Sequence, residues 1–533
     1  MNVTPREWRF VAIASLTLLL VTSIPYVVGF WMSDADRIFG GFVYAVEDGN
    51  SYLAKMQTGA AGHWLFHLAY TPEPHLGGLF FLYYILLGKL SRFLGLSMVA
   101  GLHLSRVFSV PFGMYCYYRF IAYWTPNRAV RKLGCTLFGF TAGLGWLWIA
   151  LGRGLTLGAI PVDLWVPDAS YFFSAFLFPH LPLAQGLYLL FLTNAFDYIS
   201  TGRGHSGTSA ALAGLLVSLI HPYTLPVAGV ILGLFIGVEV ICRRWRLWPA
   251  VARLALVTVP SAPYLAYTVV VFWTNPAFRS WREQSQTVSP SPIHYALGMG
   301  LILIWAAVGA VYGGRSRVRH IGFLVTWAVA VPVLAYVPSS IQRRFTDGYQ
   351  APLTVLGAWG MWNVLTQLQR PRVRRGLLTF CVGSMTLTNV LLVASALALL
   401  PGSSEPIFRP TMEQQAANWL VQRAQGQVVL SSYTSGNYLP TRGAVRVFLG
   451  HGPETMHSSK KRALAGRFFD LETDDAWRRR LIAEYDVRWV WWGPWERALG
   501  DFDPGQATYL RQMYDRGGYV VYGVEGGGGE VDR

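Results

Sequence analysis

A group of acidic side chains follows the first apolar stretch of the sequence and could supply a general base. Acidic residues are scarce, 28 of 533. Five of them nevertheless lie between residues 31 and 75, namely Asp34, Asp36, Glu47, Asp48 and Glu73. A carboxylate at a membrane surface is costly unless it is solvated, paired or used in function. The cluster therefore indicates a functional site.

Within this cluster, Asp48 has the spacing that best suits proton transfer. In VEDGNSYLAKM, Asp48 and Tyr52 are four residues apart and share one face of a helix, whereas Glu47 points to another face. A single carboxylate aimed into a cleft beside an aromatic ring suits a base that deprotonates an acceptor hydroxyl. The alternative is an acid in the first helical turn that only stabilises the helix dipole.

Further polar residues lie close to the predicted outer surface. The sequence YTPEPH, stiffened by two prolines, holds Glu73 and His75, which could coordinate a metal ion or hold a phosphate. A lone His–Glu pair is a weak metal signal, so we expect no metal site and no cofactor, with a divalent ion as the alternative. In the next outer loop, Asp163, Asp168 and His180 either border a cavity or are solvated.

The composition is that of a membrane protein. The mean hydropathy is +0.34, and 53% of the residues are hydrophobic while 14% are charged. Many apolar windows reach the length of about 18–25 residues that crosses a hydrocarbon core of about 30 Å. The net charge of +16 comes from short basic clusters between apolar runs, which indicates membrane topology and anionic lipid rather than nucleic acid. The four cysteines lie in apolar segments without metal-like spacing, so neither disulfides nor a zinc site are expected.

The basic clusters predict the topology. Cytoplasmic turns are expected at 128–132, 243–246, 315–319 and 370–375. Eleven spans fit these turns and place the N-terminus inside and residues 401–533 outside: 10–31, 99–124, 133–151, 181–199, 209–221, 223–241, 252–273, 294–312, 321–338, 351–368 and 376–400.

Two apolar segments depart from simple spans. Lys89 and Arg92 interrupt the end of segment 76–96, so we expect a helix at the membrane interface rather than a crossing. Segments 209–221 and 223–241 are short and meet at His221-Pro222. They predict broken half-passes that line a cavity, with one long tilted helix as the alternative.

One basic pair breaks the charge rule. Arg343 and Arg344, in SSIQRRFTDGYQ, fall in a short loop that the topology places outside. A bound anion would explain this position, because arginine offers a planar fork of donors that matches phosphate. The alternative is a pair solvated among lipid headgroups, with Asp347 as its partner.

After residue 400 the chain changes character. QVVLSS, VRVFLGH, VRWVWWGP and YVVYGV read as buried strands, and 411–424, 458–469 and 474–485 read as helices. Such alternation predicts a small α/β domain. The turns 434–438 and 450–455 end strands, where ligands often sit in such folds, although a lid or packing domain without chemistry is the alternative. The predicted architecture is an all-α polytopic membrane domain over 1–400 with an outer loop at 32–98, an extracytoplasmic α/β domain over 401–525, and a flexible tail at 526–533.

The plan resembles the C-type glycosyltransferase superfamily, which includes protein O-mannosyltransferases and bacterial aminoarabinose transferases. Asp48-(x3)-Tyr52 resembles the acid-and-tyrosine motif of its first outer loop, and FFLYYILLGKLSRFLGLS and LSRVFSVPFGMYCYYRF resemble its juxtamembrane segment and following span. FPHLPLAQGLYLL and IQRRFTDGYQAPLTVLGAWG are similar to segments of bacterial members. The chain departs from the family in having Glu-Pro-His before the juxtamembrane segment, and it lacks the Trp-Trp-Asp signature of the oligosaccharyltransferases.

The resemblance implies an enzyme of the plasma membrane that transfers a sugar, with inversion, from a polyprenyl-phosphate carrier to a glycan, lipid or protein acceptor outside the cytoplasm. It implies Asp48 as the base and Arg343 and Arg344 on the lipid phosphate. The rim of the site is expected to include Glu47, Tyr52, Glu73, His75, His180 and His221. A transporter or flippase of lipid-linked glycans is the alternative, because half-helices meeting at His221-Pro222 would suit a midplane site.

Overall fold

The structure is a computed structural model that describes residues 3–242, 245–315 and 321–525. Arg243, Arg244, Arg317 and Arg319 of the predicted cytoplasmic clusters lie outside the described residues, as does the predicted tail 526–533.

The described residues are mostly helical. The α-helices, α1 to α23 in chain order, are Pro5–Trp31, Val46–Ala60, Leu82–Phe93, Met98–Trp124, Arg128–Phe140, Gly145–Ala150, Tyr171–Leu177, His180–Thr201, Gly204–Ile220, Thr224–Ile241, Leu247–Thr258, Ala262–Thr274, Pro276–Gln284, Pro292–Met299, Leu301–Arg315, Ile321–Leu334, Gln350–Gln367, Pro371–Leu399, Thr411–Arg423, Tyr433–Tyr438, Ser458–Phe469, Asp475–Glu484 and Pro494–Arg497. Short 3₁₀ helices are Val162–Leu164, Pro167–Ala169, Val259–Ser261, Gln342–Thr346, Leu400–Gly402, Leu439–Thr441 and Pro504–Gln506. The strands, β1 to β7, are Arg37–Phe39, Phe408–Pro410, Val428–Leu430, Arg446–Val447, Val487–Trp492, Leu510–Arg516 and Tyr519–Val524.

The chain divides into two compact units. The first comprises Met1–Pro25, His103–Thr268 and Thr287–Ala398, and the second comprises Tyr26–Leu102, Val269–Gln286 and Leu399–Arg533. The predicted outer loop 32–98 thus belongs with the C-terminal part of the chain. Strand pairing links the two segments, because β1 of this loop pairs antiparallel with β2. Arg37 lies opposite Pro410, and Phe39 lies opposite Phe408.

Several helices can cross a membrane by length and composition. Among the residues that the structure describes, four qualify alone, and up to six qualify if each of two bent pairs is one span. The four are Pro5–Trp31, Thr224–Ile241, Leu247–Thr274 and Pro371–Gly402. The bent pairs are α3 with α4, at 114°, and α14 with Leu301–Gly314, at 79°. The predicted count of eleven spans is not confirmed.

One predicted span, 133–151, is not a continuous helix. Helix α5 ends at Phe140, and the six-residue α6 starts at Gly145. The Asp163 carboxylate accepts hydrogen bonds from the backbone N–H groups of Gly143 and Gly145, at 3.1 and 3.0 Å. Backbone N–H groups at a helix break inside an apolar core need acceptors, and the buried Asp163 carboxylate accepts from two of them.

The first unit contains the helix break that the sequence predicts at His221-Pro222. A helix ends at Ile220 and the next begins at Thr224, so the chain breaks at His221-Pro222 as predicted. Glu7 near the start of α1 forms an ion pair with Arg131, with a distance of 3.2 Å between Arg131 Nη1 and Glu7 Oε1. This contact places the basic turn at 128–132 at the same end of the first unit as the start of α1.

The second unit contains the predicted α/β arrangement. Its five-stranded sheet has the order β4-β3-β5-β7-β6, with β3 parallel to β4 and β5 and with β7 antiparallel to β5 and β6. Alternate residues of the strands enter two different cores, as the period of two requires. On one face, Val428 and Val490 pack with Phe468 of α21. On the other face, Val429 packs in a cluster with Leu420 of α19 and Ala54 of α2.

Candidate functional site

Asp48 lies in the first turn of α2 in the second unit. The turn that starts this helix places Ala45 at φ 49°, in the left-handed region. The helix N-terminus favours negative charge on both Glu47 and Asp48, so the dipole role considered from the sequence applies to both residues. The Asp48 side chain is 60% exposed, and its Oδ1 lies 3.4 Å from Nε2 of His451. A solvent-facing carboxylate with the His451 ring behind it is able to accept a proton from a hydroxyl.

Behind Asp48, a chain of charged groups leads into the interior of the second unit. Nδ1 of His451 lies 3.6 Å from Oε1 of Glu454. The same carboxylate oxygen accepts hydrogen bonds from Nζ of Lys55, at 2.6 Å, and from Oγ of Ser51, at 2.7 Å. The side chains of Lys55 and Glu454 are 1% and 2% exposed. Two carboxylates and two potential cations therefore alternate from the surface to the core.

Burial and mutual attraction shift the pKa values of these charged side chains. Burial lowers the pKa of Lys55, and the charge of Glu454 opposes that effect. For Glu454, burial favours the neutral acid, but Lys55 and His451 outweigh it and the pKa is lowered. For His451, burial favours the neutral ring, yet Glu454 and Asp48 outweigh it and the pKa is raised. The neighbouring charges thus stabilise the ionised form of Glu454 and make His451 a stronger base than a free imidazole.

Close backbone contacts hold the 450–455 loop in place. Gly436 of α20 faces Leu449, and a Cβ atom on Gly436 would clash with the Leu449 carbonyl oxygen. A Cβ atom on Gly450 would in turn clash with the backbone of Gly436. Glycine is needed at both positions because two backbones meet there. The glycines of TSGNY and GHGPET thereby set the position of His451 and Glu454.

The remaining predicted residues of α2 have structural partners. Glu47 Oε1 accepts hydrogen bonds from the Tyr433 hydroxyl and, at 3.1 Å, from the Gly452 N–H. Glu47 therefore ties α2 to the same loop that carries His451. The Tyr52 ring stacks on Tyr84, with centroids 4.4 Å apart and an interplanar angle of 11°.

Glu73 and His75 each contact groups of the protein. Glu73 Oε2 accepts a hydrogen bond from Nζ of the buried Lys461, at 2.6 Å. His75 Nε2 accepts a hydrogen bond from the Leu68 N–H, at 2.9 Å, and its Nδ1 lies 2.8 Å from the carbonyl oxygen of Glu73. Both ring nitrogens are thus engaged. Among the described residues, no group of three or more His, Cys, Asp or Glu side chains could hold a metal ion.

In the first unit, each guanidinium of the arginine pair lies near an aromatic ring. Arg343 and Arg344 lie on the 3₁₀ helix Gln342–Thr346. The guanidinium of Arg343 lies 4.4 Å from the centroid of the Trp165 ring, and that of Arg344 lies 5.6 Å from the Tyr223 ring. Attraction between a guanidinium and the face of an aromatic ring restrains the position of the charge.

Two predicted histidines lie in the same unit as the arginine pair. The rings of His180 and His221 are 5.2 Å apart. Asp347, considered from the sequence as a partner of the arginines, has Oδ2 3.0 Å from Nδ1 of His221 and accepts a hydrogen bond from Gln185 through Oδ1, at 3.1 Å. Burial raises the pKa of Asp168, Asp347 raises it further, and His221 and the two arginines oppose the shift.

The predicted site residues therefore form two groups. Asp48, Glu47, Tyr52, Glu73 and His75 belong to the second unit, and His180, His221, Arg343 and Arg344 belong to the first. Sequence reasoning missed three residues beside Asp48: Lys55, His451 and Glu454. The available signals were a lysine inside the otherwise apolar run YLAKM and a histidine and an acid in a glycine-rich turn after a strand.

Comparisons with known proteins bear on the fold. No protein-family model matches the sequence, and no curated protein matches it significantly. Solved structures do match. The oligosaccharyltransferase AglB of Archaeoglobus fulgidus aligns with a TM-score of 0.55 and 10% identity over 92% of this chain and 70% of its own. The arabinofuranosyltransferase AftD from Mycobacteria aligns with a TM-score of 0.55 and 12% identity, over 98% of this chain but 40% of its own.

A third structure matches over nearly the whole length of both chains. ArnT of Cupriavidus metallidurans aligns with a TM-score of 0.51 and 14% identity over 96% of this chain and 98% of its own. The fold is that of the C-type glycosyltransferases. The resemblance predicted from the sequence is thereby confirmed at the level of fold.

Proposed function

We propose that this protein is an integral membrane glycosyltransferase that moves a sugar from a polyprenyl-phosphate donor to an acceptor hydroxyl outside the cytoplasm, with Asp48 as the base. The observation that carries the proposal is the solvent-facing Asp48 carboxylate, 60% exposed and backed by His451, in a chain with the C-type glycosyltransferase fold. A fold hosts many activities, so the assignment depends on this site rather than on the fold.

In the proposed reaction, Asp48 removes the proton of the acceptor hydroxyl. The acceptor oxygen attacks the anomeric carbon from the face opposite the leaving group, which inverts the configuration. The bond between that carbon and the phosphate oxygen breaks, and the electron pair leaves with the lipid phosphate. A positioned base contributes about 10²–10⁴-fold to such a step.

The lipid phosphate is assigned to Arg343 and Arg344. Their guanidinium groups are oriented by Trp165 and Tyr223, and forked donors of this kind bind phosphate oxygens in pairs. One matching structure, of AglB, is a complex with a dolichol-phosphate, which supports a lipid-phosphate ligand. His180 and His221 are proposed to border this phosphate site, and no cofactor is part of the proposal.

The proposed location is the plasma membrane, with eleven crossings and the second unit on the extracytoplasmic side. A donor with a long polyprenyl chain requires an enzyme within the bilayer. A structure of an Archaeoglobus fulgidus oligosaccharyltransferase carries a tethered acceptor peptide. The acceptor of this chain is proposed only as a class, which comprises glycans, lipids and proteins that display a hydroxyl.

The test is a transfer assay with purified protein and a panel of polyprenyl-phosphate sugars. Asp48→Asn preserves size and removes basicity, so transfer should fall by about 10²–10⁴-fold. Glu47→Gln should cost much less, because Glu47 binds Tyr433 and Gly452. Asp36→Asn, the same change at an exposed acid of the same outer segment, is the matched control and should leave transfer unchanged.

The results also discriminate the competing assignments. A larger loss in Glu47→Gln than in Asp48→Asn would move the base to Glu47. Wild-type transfer in the Asp48→Asn variant would refute the proposal. If no donor supports transfer while liposomes containing the protein move lipid-linked sugars across the bilayer, the transporter hypothesis replaces it.

A further inference from the structure

His451 lies between two carboxylates. Its side chain is 7% exposed, with Nε2 3.4 Å from Asp48 Oδ1 and Nδ1 3.6 Å from Glu454 Oε1. Nδ1 is buried and has no hydrogen-bond partner within the described part of the chain. A buried polar atom without a partner costs about 1–3 kcal/mol, and such atoms often mark functional sites.

We propose that His451 receives the proton that Asp48 removes from the acceptor hydroxyl. This inference rests on the proposed glycosyl transfer and adds a residue that acts through the base, without contact to the substrate. The active form before transfer has a neutral imidazole, with Nδ1–H directed at Glu454 and the lone pair of Nε2 directed at Asp48.

The proton balance of the step is complete. The acceptor O–H bond breaks, and its proton passes to Asp48 and then to Nε2 of His451, which becomes an imidazolium ion. Asp48 returns to the carboxylate form, and the phosphate departs with the electron pair of the broken glycosidic bond. After product release, the proton leaves His451 through Asp48, which faces solvent.

The groups that face His451 favour this transfer. Asp48 and Glu454 stabilise the imidazolium, Lys55 and burial oppose it, and together they raise the pKa of His451 above its ordinary value. The centroid of the Tyr70 ring lies 5.6 Å from that of the His451 ring. Imidazole is a stronger base than a carboxylate. His451 therefore holds the proton, and Asp48 regains its basicity within the same turnover.

The proposal predicts the pH profile of transfer. His451 must be neutral before transfer, so kcat/KM should rise with pH. The midpoint of this rise, the limb of the pH profile, should lie above pH 6.5, the ordinary pKa of histidine. In His451→Asn this limb should move to lower pH, toward the range of a carboxylate. Transfer at pH 8 should fall by about 10–100-fold, less than for loss of the base itself.

His457→Asn is the matched control. His457 is an exposed histidine on the same segment with φ 53°, a conformation that asparagine tolerates. It should keep the wild-type rate and pH profile. His451→Gln provides a second variant, and resistance to proteolysis confirms that each variant is folded.

The outcomes separate this inference from the proposed function. If Asp48→Asn abolishes transfer and a folded His451 variant keeps the wild-type limb, the inference is wrong and the proposed function stands. If Asp48→Asn is fully active, both fail.

A measurement on the wild-type protein removes any dependence on folding of the variants. Imidazole ionisation depends strongly on temperature and carboxyl ionisation hardly does. The midpoint of the limb should therefore shift with temperature, and a limb that does not shift overturns the inference.

Discussion

Breaking the buried ion pair between Lys55 and Glu454 should strongly destabilise the second unit. Nζ of Lys55 lies 2.6 Å from Glu454 Oε1, and both side chains are almost fully buried. At an effective dielectric constant of about 20, charges at this distance attract by about 6 kcal/mol. In Glu454→Gln, Lys55 can lose its proton, which limits the penalty. The free energy of unfolding should fall by about 3–5 kcal/mol, the usual cost of removing one partner of a buried pair.

The double variant separates charge from packing. Lys55→Met keeps length and places a thioether among the rings of Phe66, Phe81 and Trp281, which surround Nζ at 5.1, 4.3 and 5.9 Å. Combined with Glu454→Gln, it removes both charges and leaves neither unpaired. The double variant should therefore be at least about 2 kcal/mol more stable than Glu454→Gln alone.

The matched control is an exposed ion pair of nearly equal length. Arg488 Nη2 lies 2.7 Å from Asp486 Oδ1, with side chains 34% and 64% exposed. Arg488→Met should cost at most about 1 kcal/mol, because water screens that pair. Native-state proteolysis of the second unit compares the wild type with four variants: Glu454→Gln, Lys55→Met, their combination and Arg488→Met. A loss of about 3–5 kcal/mol raises the cleavable population by about 10²–10⁴-fold. Equal losses in Glu454→Gln and Arg488→Met would refute the reasoning, and so would strict additivity in the double variant.

Three further predictions concern the donor, the topology and pH. Removing both guanidinium groups in the Arg343→Ala/Arg344→Ala variant should weaken donor binding by about 10–100-fold. Lysine at both positions should rescue binding only in part, because it restores the charge without the forked geometry. Unchanged donor affinity would show that the pair is merely solvated among lipid headgroups. Cysteine labelling should place 32–75 outside and 125–132 inside, and outside labelling at residue 130 would contradict the topology. Burial lowers the pKa of Lys461 from 10.5 to about 8. Between pH 8 and 10.5 the unfolded chain therefore binds more protons than the folded chain, so the stability of the second unit should increase with pH over about this interval. Lys461→Met should abolish the increase, as measured by proteolysis rates in a pH series.

Local patterns predicted the C-terminal elements well. The expected helices 411–424, 458–469 and 474–485 are found as Thr411–Arg423, Ser458–Phe469 and Asp475–Glu484. These elements carry their own apolar periodicity and turn residues, so neighbouring sequence suffices to identify them. Strand β6 was missed because it lies at the sheet edge and reads LRQMYDR, with several exposed polar side chains and no apolar run.

The site was predictable only in part. The scarcity of acids in an apolar chain was enough to single out Asp48 as a candidate, and the charge rule singled out Arg343 and Arg344. The partners of Asp48 could not be predicted, because His451 is 403 residues away in sequence and no local pattern encodes that contact. The helix predicted over 133–151 failed for a similar reason, since Asp163 stabilises the break from a later loop.

The pairing of Lys55 with Glu454 has a consequence for biosynthesis. The two residues are 399 positions apart. At about 5–20 residues per second, a ribosome needs about 20–80 s to reach Glu454 after Lys55 has been made. During that time α2 lacks its counter-charge and β1 lacks its partner β2. The early segment must therefore wait in an incomplete state, open to chaperones and proteases, until the last part of the chain emerges. Truncation before residue 454 should leave this segment unable to mature, whatever the state of the helices already inserted.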